Sequence, residues 1–399
     1  MIEVEHVSDA TEEIVEELDS LGHLTGVEVE DESDGAGSGP EDLIRMPFDP
    51  ELIDVITKNT TVDLLLSRVR TRRVDLQPDF QRRAGIWRNQ AKSRLIESLL
   101  LRIPLPTFYA AETDDEAWAM VDGIQRLTTI VEFVEPEAID AEPLRLRDLE
   151  YLGKDYDQAT FADLPGRLQT RLRETELIVH LIRKGTPEEV KFNIFARINT
   201  GGLPLSRQEL RHALIPGEGR QILREWADSE AFKAATGNGV RSDRMADREM
   251  ILRFLAFRLA NPWSYTEDDF DAFLRSSMRA LNELSAEEVD ELWEQFERAL
   301  HGAYEIFGEY AFRKVDRKGG SRRMPINKAL FESVAVSLAD LSESEIAVLV
   351  RRYRRVEKKF LELMSDVDFQ AAISQGTGDP AKIRFRFDAI RRLFASAAE

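Results

Sequence analysis

Ala119-Met-Val-Asp-Gly-Ile-Gln-Arg-Leu-Thr-Thr-Ile130 changes its hydrophobic period at one glycine. The apolar run Trp118 to Val121 reads as a short buried strand that ends at Asp122. Beyond Gly123, the residues Ile124, Leu127, Val131 and Val134 recur at helical spacing. The expected unit is strand, tight glycine turn, helix. Its carboxylate sits at the carboxyl end of the strand, where open α/β sheets bind ligands. Gln125 and Arg126 fall in the first helical turn, and a cation there opposes the helix dipole. Arg126 makes sense in that place if it faces a phosphate that also uses the free N–H groups. The alternative is an ion pair between Arg126 and Asp122 or another surface carboxylate.

Working outward, the next feature upstream is basic. Seven arginines lie between Arg68 and Arg88, among them Arg70, Arg72, Arg73, Arg82 and Arg83. Phosphate or nucleic-acid contact is one reading of this cluster. A solvated face neutralised by nearby glutamates is the other. Thr60 to Arg73 has a helical start in Val62, Leu65, Leu66 and Val69. Asn89 to Leu101 is an amphipathic helix stopped by Ile103-Pro-Leu-Pro106. Thr107 to Ala111 and Glu176 to Ile182 read as further strands, and His180 as a satisfied core or edge histidine. Thr186-Pro-Glu-Glu189 opens a helix that runs through Phe192, Phe195 and Ile198. It ends in Asn199-Thr-Gly-Gly-Leu-Pro-Leu205, a turn that needs unusual backbone angles. Ser206 then caps a helix over Arg207 to Leu214, with Glu209 completing a capping box.

From Gly217 onward only helices are expected: Arg220 to Ala227, Arg244 to Leu259, Glu267 to Leu284, Ala286 to Phe307, Pro325 to Leu341, Glu343 to Met364 and Pro380 to Ala395. The basic run Arg351 to Arg355 with Lys358 and Lys359 is read as one solvated helix face. The loop Arg313 to Arg323 is a second candidate phosphate contact.

The net charge of -20 over 399 residues is unevenly placed. Residues 1–42 hold 15 acidic residues and no Lys or Arg, which leaves 59 acidic against 54 basic in the rest. This segment is expected to be a disordered acidic arm, with one short helix over Thr11 to Leu21 compatible with the pattern. An arm of this kind serves solubility or covers a basic site. The absence of cysteine removes disulfides, thiolate metal sites and a cysteine nucleophile, and fits a cytoplasmic protein. No apolar run reaches the roughly 18 residues that span a bilayer. The five histidines show no metal-ligand spacing, and no phosphate-loop, dinucleotide or nucleophile-elbow motif is present.

Three segments in order resemble one family. They are Pro78-x-Phe-Gln-Arg82 with Trp87 and Ile103 to Pro106, then Val121 to Thr129, then Phe195-Ala-Arg-Ile-Asn-Thr-Gly-Gly-Leu-Pro-Leu-Ser206 with Glu209-Leu-Arg211. They look like the N-terminal domain of GmrSD-type restriction endonucleases, which carries a DGQQR signature. The last stretch, Pro325 to Phe331 and Phe369 to Phe387, looks like stand-alone members. The resemblance implies an α+β, ParB/sulfiredoxin-like fold, a small mixed sheet with helices over residues 43–215. An all-helical domain would follow over 216–399. It also implies nucleotide binding and hydrolysis, with magnesium and a nucleoside triphosphate, in restriction of foreign DNA. By position, Asp122, Gln125 and Arg126 match the signature and Gly123 gives its turn. Gln81 and Arg82 match the upstream pair, and Arg197, Asn199, Gly201 and Gly202 match the third motif. Magnesium would be held through Asp122. Two departures stand out: Ile124 occupies the first Gln of the signature, and no HNH nuclease domain is visible. The expected partners are nucleotide, DNA and a separate nuclease or defence protein, with no membrane and an oligomer open. Two rivals remain: a non-catalytic DNA-binding or adaptor module, and a metal-dependent nuclease cutting at the Asp122 region.

Overall fold

The computed structural model describes residues 14–18, 23–30, 50–76, 87–113, 116–198, 205–242, 244–267, 269–315 and 323–399. Gln81, Arg82, Arg83, Asn199, Gly201 and Gly202 lie outside the described residues, as do the side chain of Arg197 and most of the loop Arg313 to Arg323. So does most of the acidic N-terminal segment, but its described part departs from expectation. Strands β1 (Glu16–Leu18) and β2 (Leu24–Glu28) pair antiparallel, where disorder or a helix over Thr11 to Leu21 was expected. The physical reason is tertiary. Ile326 donates to the Gly26 carbonyl (2.9 Å) and accepts from the Glu28 N–H (2.8 Å), so the hairpin is tied to the far end of the chain.

The central sheet has five strands: β3 (Val55–Thr61), β4 (Val74–Asp75), β5 (Phe108–Glu112), β6 (Trp118–Asp122) and β7 (Glu176–Ile182). They stand in the order β3-β7-β5-β6-β4. The β3/β7 and β5/β6 pairs are antiparallel, and β7/β5 and β6/β4 are parallel, so the sheet is mixed. The sequence reading passed over β3 because its residues run straight into the helix α1 (Val62–Arg70). The β-branched residues Val55, Ile56, Thr57, Thr60 and Thr61 favour the strand. The Thr61 hydroxyl then caps α1, accepting from the Leu64 N–H at 3.3 Å.

Each face of the sheet is covered. On one lie α1, α2 (Asn89–Leu100), α3 (Ile124–Val134) and α4 (Gly166–Arg173), which bury Leu65, Ile96, Leu127 and Leu172 against Met120, Val179 and Leu181. On the other, Ala111, Val121 and Ile182 meet Phe192 and Phe195 of α5 (Glu188–Ile198) and Leu210 of α6 (Arg207–Leu214). This second cluster continues without a break into the helical region. Ser206 and Glu209 form the capping box expected at the start of α6.

The helical region holds α7 (Glu218–Asp228), α8 (Glu230–Thr236), α9 (Ala246–Leu259), α10 (Phe270–Leu281), α11 (Ala286–Phe307), α12 (Lys328–Ala339), α13 (Glu343–Arg351), α14 (Tyr353–Leu363), α15 (Val367–Ser374) and α16 (Pro380–Ala398). Two differences from the sequence reading have local causes. The helix expected over Glu343 to Met364 is broken at Arg352, whose φ is -107° and whose Nη1 donates to the Ala398 carbonyl at 2.7 Å. The short helices α8 and α15 are begun by the caps Ser229 and Asp366, which accept from Phe232 and Phe369 N–H groups. Every residue of α12 is buried, as expected of a helix surrounded by others.

Candidate functional site

The turn after β6 is built as its residues dictate. Gly123 has φ +90°, and a Cβ there would lie 2.4 Å from Phe108 Cδ1. Only glycine satisfies both conditions. The Leu127 N–H donates to the Gly123 carbonyl at 2.9 Å, which begins α3. Arg126 then folds back over the turn. Its Nη2 lies 3.0 Å from Asp122 Oδ2 and 3.1 Å from the Thr107 carbonyl, and its Nη1 donates to the Pro106 carbonyl. The guanidinium also lies 4.6 Å from the Phe108 ring centroid. With 11% of its side chain exposed, Arg126 fastens the turn to β5. Burial draws its pKa down, and the Asp122 carboxylate opposes that. The alternative weighed for Arg126, an ion pair with Asp122, is the arrangement found.

Asp122 also ends a polar row across the sheet. Thr57, His180, Tyr109 and Asp122 are successive cross-strand partners on β3, β7, β5 and β6. His180 Nδ1 lies 3.0 Å from the Thr57 hydroxyl, and its ring centroid lies 4.9 Å from that of Tyr109. The imidazole is thus a half-buried, hydrogen-bonded histidine on an interior strand.

Gln125 points elsewhere. It lines a cleft of about 730 Å³ between α1, β4, α2 and α3, together with Thr128, Thr129 and Glu132 of the same helix. Val69, Val74, Leu76 and Ile139 form an aliphatic wall, and Arg72, Lys92, Asp75 and Asp140 bring the charges. Lys92 Nζ lies 2.5 Å from Glu132 Oε2. The hydroxyls of Thr128 and Thr129 donate to the Ile124 and Gln125 carbonyls, at 2.8 and 2.7 Å, and keep lone pairs for a ligand. The size falls in the range of small-molecule sites. Sequence reasoning did not find Lys92, Asp75, Glu132 or Asp140. They come from four separate segments, and none carries a motif of its own. The threonine pair one turn beyond Gln125 was the available signal.

The arginine cluster divides. Arg70 reaches both Glu135 oxygens at 3.1 Å, Arg73 lies 3.8 Å from Glu116, and Arg68 sits 4.1 Å from the Trp118 ring centroid. Much of the cluster is therefore a face matched by glutamates and an indole. Arg72 is the member that lines the cleft, and Arg88 is exposed just before α2. Among the described residues, no group of three or more His, Asp or Glu could hold a metal ion by itself.

Residues 63–216 match the family model of the GmrSD restriction endonuclease, N-terminal domain. No curated protein matches the chain. The matched segment starts in α1 and ends after α6, so it holds the glycine turn and every residue lining the cleft. The hairpin β1–β2, strand β3 and helices α7 to α16 lie outside it. Among the described residues, no helix is long and apolar enough to cross a membrane.

Proposed function

We propose that this chain binds and hydrolyses a nucleoside triphosphate and couples that to DNA recognition in the restriction of foreign DNA. The family match supports the restriction setting. One observation carries the nucleotide: the side chain of Gln125, from the signature, lines a cleft with two cations, two hydroxyl groups and an aliphatic wall. In this reading Lys92 and Arg72 meet the phosphates, Val69, Val74, Leu76 and Ile139 take the base, and Gln125 positions the reacting end. Asp122, Gly123 and Arg126 hold the turn that aims Gln125. The upstream motif adds Gln81 and Arg82 to this reading as further phosphate contacts, and both lie outside the described residues. Phosphoryl transfer rests on such positioning and charge neutralisation. Where magnesium arrives with the triphosphate, Asp140 is a cleft-lining carboxylate that would hold it alongside phosphate oxygens, while Asp122 is paired with Arg126 at the turn.

Ile124 bears on hydrolysis. It is buried in the core beneath α3, on a different side of the helix from Gln125. The substitution in the signature therefore takes no group from the cleft wall, and hydrolysis is kept in the proposal.

The test is thermal stabilisation and phosphate release with ATP, GTP, CTP and UTP plus magnesium. A ligand at 100 times its dissociation constant adds about 2.7 kcal/mol to stability. The wild type should respond to at least one nucleotide, and Lys92→Gln and Gln125→Ala should lose that response while remaining folded. No response of the wild type to any of the four would overturn the proposal.

A further inference from the structure

The described part of the N-terminal hairpin buries Val27 in the core but leaves its other large apolar side chains turned outward. Its apolar residues Val15, Leu18, Leu24 and Val29 are 43% to 59% exposed. Its carboxylates face the protein instead. Glu30 receives both terminal nitrogens of Arg253, one at 2.8 Å, and the Thr377 hydroxyl at 2.8 Å. Glu28 receives Lys314 and, at 3.2 Å, the side-chain amide of Asn327. Glu17 receives Lys328 at 2.6 Å. Glu16 lies close enough to Arg313 to support its charge, although burial and Arg323 bring that guanidinium down to about 10. Three carboxylates on one short hairpin thus pair with three cations contributed by α9, α12 and the strand-like segment before α12, and Glu16, which itself accepts from the Gly26 N–H, adds its charge near Arg313.

Stability alone does not call for this chemistry. Replacing a buried ion pair by packed apolar side chains is often neutral or stabilising. A strap that served only the core would turn Leu24 and Val29 inward and leave the glutamates in water. What the hairpin presents to the helical region is a set of carboxylates from both of its strands, Glu17 from β1 with Glu28 and Glu30 from β2 and just beyond it. A bidentate arginine with a hydroxyl, and a lysine with an amide, suit phosphate as well as carboxylate. Taken away from the hairpin, Arg253, Lys314, Lys328 and Arg313 would line a groove in which, among the described residues, Glu249, Glu332 and Glu309 offset them in part.

We propose that the N-terminal hairpin is a built-in mimic of a nucleic-acid strand, seated in a DNA backbone-binding groove of the helical region and displaced when DNA binds. The groove takes consecutive phosphates where Glu17, Glu28 and Glu30 now lie. This rests on the DNA-recognition half of the function proposed above, and it is independent of what the cleft at Gln125 binds.

The experiment uses the full chain and a fluorescent DNA duplex of about 20 base pairs, titrated across salt concentrations. E17Q/E28Q/E30Q weakens the seat of the hairpin and should bind the duplex about tenfold more tightly than wild type. The salt dependence should steepen, because more phosphates are then neutralised by protein cations. Adding K314Q to that variant should return the affinity toward wild type. A folded triple variant with wild-type affinity and salt slope overturns the proposal. Hydrogen exchange on the wild type supplies a check that needs no substitution. DNA should speed exchange at the Glu28 and Ile326 amides, which bond across the hairpin seam. Unchanged protection with DNA bound overturns displacement. If wild type and variant both ignore DNA, the DNA-recognition half falls with the groove, and nucleotide stabilisation measured in parallel shows whether the cleft reading stands.

Discussion

Gly123 and Arg126 act as one unit at the turn, and each has its own reason for being there. The glycine is required by a backbone at φ +90° and by the Phe108 ring at 2.4 Å from where a Cβ would stand. Gly123→Ala should therefore lower stability by about 2 kcal/mol, from strain and a displaced ring together, read as a shift in the midpoint of urea unfolding. Unchanged unfolding would mean that the turn adapts and does not fix the start of α3. The glycine's role was visible in the sequence, because the hydrophobic period changes there. The partners of Arg126 were visible only in part. Spacing offers Asp122 four residues back, but the Pro106 and Thr107 carbonyls come from another segment, brought there by the pairing of β5 with β6.

Among the elements, α6 shows how a motif helix is used. Its cap residues Ser206 and Glu209 are legible in the sequence pattern, whereas the burial of Gln208, Arg211 and His212 is not. His212 lies 3.4 Å from Arg248 through Nδ1 and Nη1. Burial, with the nearby guanidiniums of Arg220, Arg248 and Arg224, holds its pKa well below the ordinary 6.5. The folded chain then keeps this imidazole neutral while the unfolded chain protonates it near 6.5. Unfolding thus takes up a proton, and stability falls as pH drops below that value, by up to about 1.4 kcal/mol per pH unit. Melting temperatures from pH 7.5 to 5 should decline more steeply in wild type than in His212→Asn. Equal slopes would remove His212 from the acid response. No period in the sequence announces this, since α6 is short and its polar residues face inward toward α9.

At the scale of the molecule, an ion pair joins the cleft to the helical region. Arg220 of α7 lies 2.6 Å from Asp75, which lines the cleft, and also donates to the Ala213 and Ile215 carbonyls at 2.9 and 3.1 Å. A ligand that engages Asp75 would thereby be felt by α7. A double-mutant cycle of Arg220→Met and Asp75→Asn should give a coupling of about 1 kcal/mol, between the values for exposed and buried pairs. A coupling near zero would mean that the two regions communicate through the apolar cluster alone. Deeper in, Arg253 stands between Glu30, Glu249 and Glu332. Glu249 stands one helical turn from Arg253, but Glu30 is 223 positions away, so no local pattern could have joined Glu30 to them.

The sequence by itself determined the strand–glycine–helix unit, the capped start of α6, most helices after Gly217 and the likeness of its three motifs to one family. These are properties of residues within a few positions of each other, where period, capping and backbone angle act directly. Tertiary structure decided the rest. It turned an acidic tail into a hairpin with its charges inward, made Arg126 a fastening of the turn, and brought Gln125, Lys92, Arg72 and Asp75 around one cleft. Each of these depends on free energy gained between distant segments, by burial and by pairing of charges, and that energy exists only once the chain has brought them together.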